Sequence, residues 1–122
     1  VPTAPTVLLI DDNPSHLKLY AWILERGGFR PVTLLVDGKV LNFPRSEPVE
    51  LVVMDYRIGS GMKSAEVAKM AQQAFPAKPV LVLSDMQWMP EDIAPYAVGF
   101  VRKGEPEQLL AKIRTLVDLS AP

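Results

Sequence analysis

The feature that most constrains this chain is an apolar run that ends in a carboxylate. Val49 to Met54 is β-branched or aliphatic except for Glu50, and it closes on Asp55-Tyr56-Arg57. Such a run reads as a strand buried on both faces, the environment of an inner strand in a parallel sheet. Asp55 is then the first residue this strand delivers to a surface. Taken alone, an Asp in that place simply starts a turn.

The rest of the chain repeats the pattern. Thr6-Val7-Leu8-Leu9-Ile10 is a short apolar strand that ends in Asp11-Asp12. Asn13 then suits a helix N-cap and Pro14 the first helical position. Leu17, Tyr20, Ala21 and Leu24 recur at helical spacing, and Gly27-Gly28 supplies the stop. Phe29 to Val36 reads as a second strand, with a short helix expected after Asp37-Gly38 and ended by Pro44. A polar loop from Tyr56 to Lys63 follows the third strand. Ser64 is expected to cap the next helix, which buries Val67, Ala68, Ala71, Ala74 and Phe75 and closes at Pro76 and Pro79. Val80-Leu81-Val82-Leu83 is a fourth strand, ending in Ser84-Asp85. Pro90 and Pro95 leave room for little more than one helical turn between them, so the fourth helix is expected to be short, irregular or absent. Gly99-Phe100-Val101-Arg102 reads as a fifth strand, followed by Lys103. Pro106 opens a last helix with Leu109, Leu110, Ile113, Leu116 and Val117 on one face.

Strands alternating with helices predict an α/β domain whose parallel sheet is covered on both faces. Its expected span is residues 6–119, with loose termini at 1–5 and 120–122. A length of 122 residues suits one core. The net charge of −1 argues against a nucleic-acid partner, and the absence of Cys excludes disulfides, thiolate nucleophiles and zinc-thiolate sites. A single His excludes multi-histidine metal sites, and His16 itself is expected to face solvent. No apolar run approaches a membrane span, so a cytoplasmic location is expected, without membrane binding. The chain opens on Val1 rather than Met, as a piece of a longer protein would. No DNA-binding or catalytic output domain follows the last helix within these residues.

In doubly wound sheets, ligands sit beyond the carboxyl ends of the strands. Here those ends carry Asp11 and Asp12, Asp55, Ser84 and Lys103. The order 2-1-3-4-5, a common one for such sheets, brings all five residues to one edge. Each has a plainer reading: a helix-start pair for Asp11 and Asp12, a cap for Ser84, an ordinary surface residue for Lys103. Those readings must all hold together, in order along the chain.

On Leu8-Leu9-Ile10-Asp11-Asp12-Asn13, Val52-Val53-Met54-Asp55-Tyr56, Val80-Leu81-Val82-Leu83-Ser84 and Phe100-Val101-Arg102-Lys103, the sequence resembles the receiver domain of two-component response regulators. The resemblance spans essentially the whole chain. It implies a flavodoxin-like, CheY-like fold of five parallel strands in the order 2-1-3-4-5. It implies that Asp55 accepts a phosphoryl group from a sensor histidine kinase or a histidine phosphotransfer protein. It further implies that Asp11, Asp12, Asp55 and the backbone carbonyl of Arg57 hold Mg²⁺, that Ser84 and Lys103 contact the phosphoryl oxygens, and that Phe100 is a switch aromatic. The output partner or domain is not named by the sequence, and a homodimer is compatible with it. The residue types suit this chemistry. Clustered carboxylates repel unless a cation neutralises them, and a hard divalent ion with oxygen ligands does so. A carboxylate nucleophile forms an aspartyl phosphate, and a metal and an ammonium stabilise the transferring charge.

The chain departs from the family at three places. Gly104 follows Lys103 where Pro is usual, Asp85 follows Ser84 where a small residue is usual, and the stretch from Ser84 to Lys103 is short. Arg57, two residues beyond Asp55, is expected to hang over the site, pair with a site carboxylate and shield a phosphoryl group from water. Two other functions compete with the phosphoacceptor. One is a pseudo-receiver, an interaction module that is never phosphorylated. The other is an aspartate-nucleophile phosphohydrolase, which usually carries a second Asp where this chain has Arg57. No dedicated enzymatic turnover is expected beyond self-phosphorylation and autodephosphorylation.

Overall fold

The protein was analysed as a computed structural model that describes residues 4–38, 41–59 and 61–120. Residues 1–3 and 121–122 of the expected termini lie outside the described residues. The elements are β1 (Thr6–Asp11), α1 (Pro14–Arg26), β2 (Arg30–Leu35), β3 (Val49–Asp55), α2 (Ser64–Ala74), β4 (Val80–Ser84), a 3₁₀ turn (Ala94–Tyr96), β5 (Gly99–Arg102) and α3 (Pro106–Ser120). The five strands form one parallel sheet in the order β2-β1-β3-β4-β5.

The apolar runs of β1, β3 and β4 occupy the middle of this sheet because both their faces are covered. Alternate residues of each strand feed two cores. Leu8, Ile10, Val52, Met54, Val80 and Val82 face α2, meeting Val67, Ala68, Ala71 and Phe75. Val7, Leu9, Leu51, Val53, Leu81 and Leu83 face α1 and α3, meeting Leu17, Leu24, Leu109, Ile113 and Val117. The edge strand β2 carries Pro31, which has no N–H for a ladder and is tolerated there.

Helix boundaries follow local chemistry. Asn13 caps α1: its Oδ1 accepts from Ser15 N at 2.9 Å and His16 N at 3.3 Å, and Pro14 takes the first helical position. Gly28, at φ +91°, adopts the left-handed conformation that ends the helix. Ser64 does not cap α2 as expected. It is the first helical residue and is buried, while Lys63 stands at the cap without a side-chain bond.

The helix expected after Asp37-Gly38 does not form among the described residues. Gly38 sits at φ +81°, and the segment 41–48 is irregular up to β3. Pro44 and Pro48 restrict the residues before them to extended conformations, which leaves too little chain for a helix. The fourth helix is reduced to the 3₁₀ turn, as the two prolines predict. Ile93, fully buried, anchors that segment to the α2-side core.

Candidate functional site

The carboxyl ends of β1, β3, β4 and β5 meet at one edge, and the ladder continues past them to hold their loops. Ile10 pairs with Met54, which sets Asp11 and Asp55 side by side. Tyr56 N donates to Leu83 O at 2.8 Å, and Lys103 N donates to Ser84 O at 2.9 Å. Asp55, Ser84 and Lys103 are thus delivered by neighbouring strands rather than by loose loops.

Asp55 is 3% exposed and Asp11 5%. The Lys103 ammonium lies 2.9 Å from each Asp55 oxygen, and Arg57 N donates to Asp55 Oδ1 at 3.0 Å. Asp11 Oδ1 accepts from Asn13 N at 3.1 Å. Burial, and then the charge of Asp55, pushes the Asp11 carboxyl up to about 6. Asp12 turns toward the loop after β3, where its Oδ2 accepts from Gly59 N at 2.8 Å. Ser84 is fully buried, and its Oγ accepts from Met86 N at 3.0 Å, so the hydroxyl also pins the following turn. Phe100 is half-buried against the core on the α2 side.

The Arg57 side chain does not pair with Asp11, Asp12 or Asp55. Its Nε donates to Asp85 Oδ1 at 3.1 Å, linking the loops after β3 and β4. The guanidinium holds the Asp85 carboxyl below its usual value. The two unusual residues of the site therefore offset each other's charge. Both side chains are exposed, and an exposed pair forms only when its loops allow it, so no sequence spacing announces it. Nearby, the Tyr56 hydroxyl donates to Asp92 at 2.8 Å and ties the β3 loop to the segment before the 3₁₀ turn.

His16 faces solvent over nearly half of its side chain, as expected, but its approach to the acidic corner was not foreseen. Its Nδ1 lies 3.4 Å from Asp11 Oδ2, and Asp11, His16 and Asp55 each offer one ligand atom within 4.8 Å of the others. The available signal was its position in the first turn of a helix that starts immediately after the acidic pair. Two buried carboxylates side by side, each raising the cost of the other's charge, make a donor set that fits a divalent cation.

A doubly wound sheet in this order, with acids after β1 and β3 and a lysine after β5, defines the class of CheY-like receiver folds. No family model matches the sequence. Among curated proteins, the chain is 29% identical over 120 residues to the transcriptional regulatory protein GlrR of Escherichia coli, covering 95% of this chain and 27% of that protein. It is 30% identical over 103 residues to the putative two-component response regulator ARR13 of Arabidopsis thaliana, covering 80% of this chain and 18% of that protein. The chain thus spans about a quarter or less of the length of these relatives. The solved chemotaxis response regulator CheY4 of Vibrio cholerae superposes with a TM-score of 0.76 at 24% identity, covering 93% of this chain and 99% of that one. Fold and comparisons agree: the sheet is CheY-like, and the curated relatives are response regulators. No helix among the described residues is long and apolar enough to cross a membrane.

Proposed function

We propose that this receiver domain, over residues 6–119, is a phosphoacceptor. Asp55 takes a phosphoryl group from the phosphohistidine of a sensor histidine kinase or a histidine phosphotransfer protein, and the modification switches contacts with an output partner or domain. The observation that carries this reading is Asp55 itself. It is a buried carboxylate at the end of an inner strand, paired with an ammonium and set beside a second buried carboxylate. The reaction belongs to the cytoplasm, where such donors are made, and needs neither a membrane nor a nucleic acid at this domain.

A carboxylate oxygen of Asp55 attacks phosphorus while the phosphorus–nitrogen bond to the donor imidazole breaks. The bonding pair returns to the imidazole nitrogen. Asp11, Asp12, Asp55 and the Arg57 backbone carbonyl would hold Mg²⁺, which supplies positive charge against the phosphoryl oxygens. Lys103 now neutralises Asp55, and its ammonium passes to a phosphoryl oxygen as the acyl phosphate forms. The Ser84 hydroxyl keeps its own proton to donate to a second phosphoryl oxygen. Closure of Ser84 draws Phe100 inward and carries the signal to the β4–β5 face. The chemistry is self-phosphorylation and autodephosphorylation, with no separate substrate turned over.

Asp85, Gly104 and the reduction of the fourth helix to a 3₁₀ turn favour the pseudo-receiver as the second reading. Intact-mass measurement after incubation with Mg²⁺ and acetyl phosphate separates the two. The phosphoacceptor gives one phosphoryl adduct, absent from Asp55→Asn. No adduct, under conditions where a control receiver reacts, selects the pseudo-receiver.

A further inference from the structure

We infer that His16 is a ligand of the cation site, and that the site therefore takes a divalent transition-metal ion such as Zn²⁺ more tightly than Mg²⁺. The inference rests on the reading of Asp11 and Asp55 as cation ligands and adds a nitrogen donor to them. Asp12 lies within hydrogen-bonding reach of Asp11 but does not close into one group with His16 and Asp55. Asp12 Oδ2 is engaged by Gly59 N at 2.8 Å, and the group of ligand atoms that closes is Asp11, His16 and Asp55.

The geometry suits a small cation with a nitrogen ligand. Two ligands each about 2.0–2.1 Å from a tetrahedral zinc stand roughly 3.3–3.4 Å apart. His16 Nδ1 and Asp11 Oδ2 are 3.4 Å apart. The third ligand, Asp55, lies within 4.8 Å of both and needs a small inward shift. Its present partner is the Lys103 ammonium, which a cation would displace.

The backbone that carries the imidazole is held in place. Asn13 Oδ1 accepts from the backbone N–H of His16, so the cap that starts α1 fixes the turn carrying the ring. Asp11 accepts from Asn13 N, so one short segment orients both ligands. Mg²⁺ gains little from this donor, because it prefers oxygen and keeps its waters, whereas imidazole suits zinc and its neighbours in the first transition row.

His16 is the only histidine in the chain, which makes the test unambiguous. Tag-free protein, stripped with EDTA and held at pH 7.5, is titrated with Mg²⁺ and with Zn²⁺ by calorimetry. Imidazole nitrogens are followed by ¹⁵N NMR. Wild type is expected to bind Zn²⁺ at least about 100-fold more tightly than Mg²⁺. His16→Ala should lose about 10- to 100-fold in Zn²⁺ affinity, with Mg²⁺ affinity unchanged. Zn²⁺ should shift one His16 ring nitrogen in wild type, and Asp11→Asn should weaken both ions. Helix content by circular dichroism verifies the fold of each variant. An unchanged Zn²⁺ affinity in His16→Ala, or an unmoved ring nitrogen, overturns the inference while leaving Mg²⁺ binding to support the phosphoacceptor. Failure of Mg²⁺ to bind, with Zn²⁺ binding still dependent on His16, upholds the inference and removes the cation from that reading.

Discussion

Replacing Asp11 by Asn isolates the electrostatic strain of the acidic corner. Asp11 is 5% exposed, and its carboxyl is pushed from 3.8 up to about 6, first by burial and then by Asp55. A folded-state pKa above the unfolded value means that the native state holds this proton more tightly. The group's favourable contribution is complete below the unfolded value and is lost as pH rises through about 6. At pH 8 the difference amounts to about 3 kcal/mol against the native state, and at pH 5 to about half of that. Asn keeps an oxygen for the Asn13 N–H, now 3.1 Å away, and carries no charge. Metal-free Asp11→Asn is therefore expected to be more stable than wild type by about 1–3 kcal/mol at pH 8, a rise in Tm of about 4–12 °C. Urea melts in EDTA at pH 8 and pH 5 measure this directly. A variant no more stable than wild type at pH 8, or a gain that does not shrink at pH 5, refutes the reasoning.

Further consequences can be measured in the same way. Saturating Mg²⁺ should raise the Tm of wild type and leave Asp11→Asn nearly unmoved, since the ion relieves what the substitution removes. Lys103→Ala leaves the Asp55 carboxylate buried without its ammonium and should lower unfolding free energy by about 1–3 kcal/mol, read from chemical denaturation. Arg57→Ala and Asp85→Ala should each leave stability almost unchanged, because the pair is exposed. Both should shorten the phosphoryl lifetime, and the double variant should match either single one; additive effects would separate the two residues. Ile93→Ala, at a fully buried anchor, should destabilise by about 2–5 kcal/mol and release the segment around the 3₁₀ turn, seen as faster amide exchange there.

The parts of the fold legible in the sequence are those governed by short-range rules. β1, β3 and β4 are apolar without interruption because two helical layers cover them, so their runs and their polar ends were readable directly. The α1 start was readable from Asn13-Pro14, since capping chemistry is local. The strand order came from resemblance and the known order of such sheets rather than from the residues of β2 or β5. The missing helix between β2 and β3 was not legible, because Asp37-Gly38 opens a turn as readily as a helix and Pro44 and Pro48 decide the outcome together. At the site, Asp55, Asp11, Ser84 and Lys103 were found because strand ends carry them to one edge. Asp12, expected to act alongside Asp11, lies within hydrogen-bonding reach of it, and its carboxylate also accepts from Gly59 in the loop after β3. The Arg57–Asp85 pair and the approach of His16 to Asp11 depend on how loops and a helix axis are set in space. No spacing within a single segment encodes that.

The central claim is that Asp55 is the phosphoacceptor. Borohydride reduction of an acyl phosphate on aspartate leaves homoserine, so the modified position can be identified by peptide sequencing in a mass spectrometer. After incubation with Mg²⁺ and acetyl phosphate, homoserine is expected at position 55 and nowhere else. Homoserine at position 11, 12 or 85, or an adduct that persists in Asp55→Asn, would contradict the account.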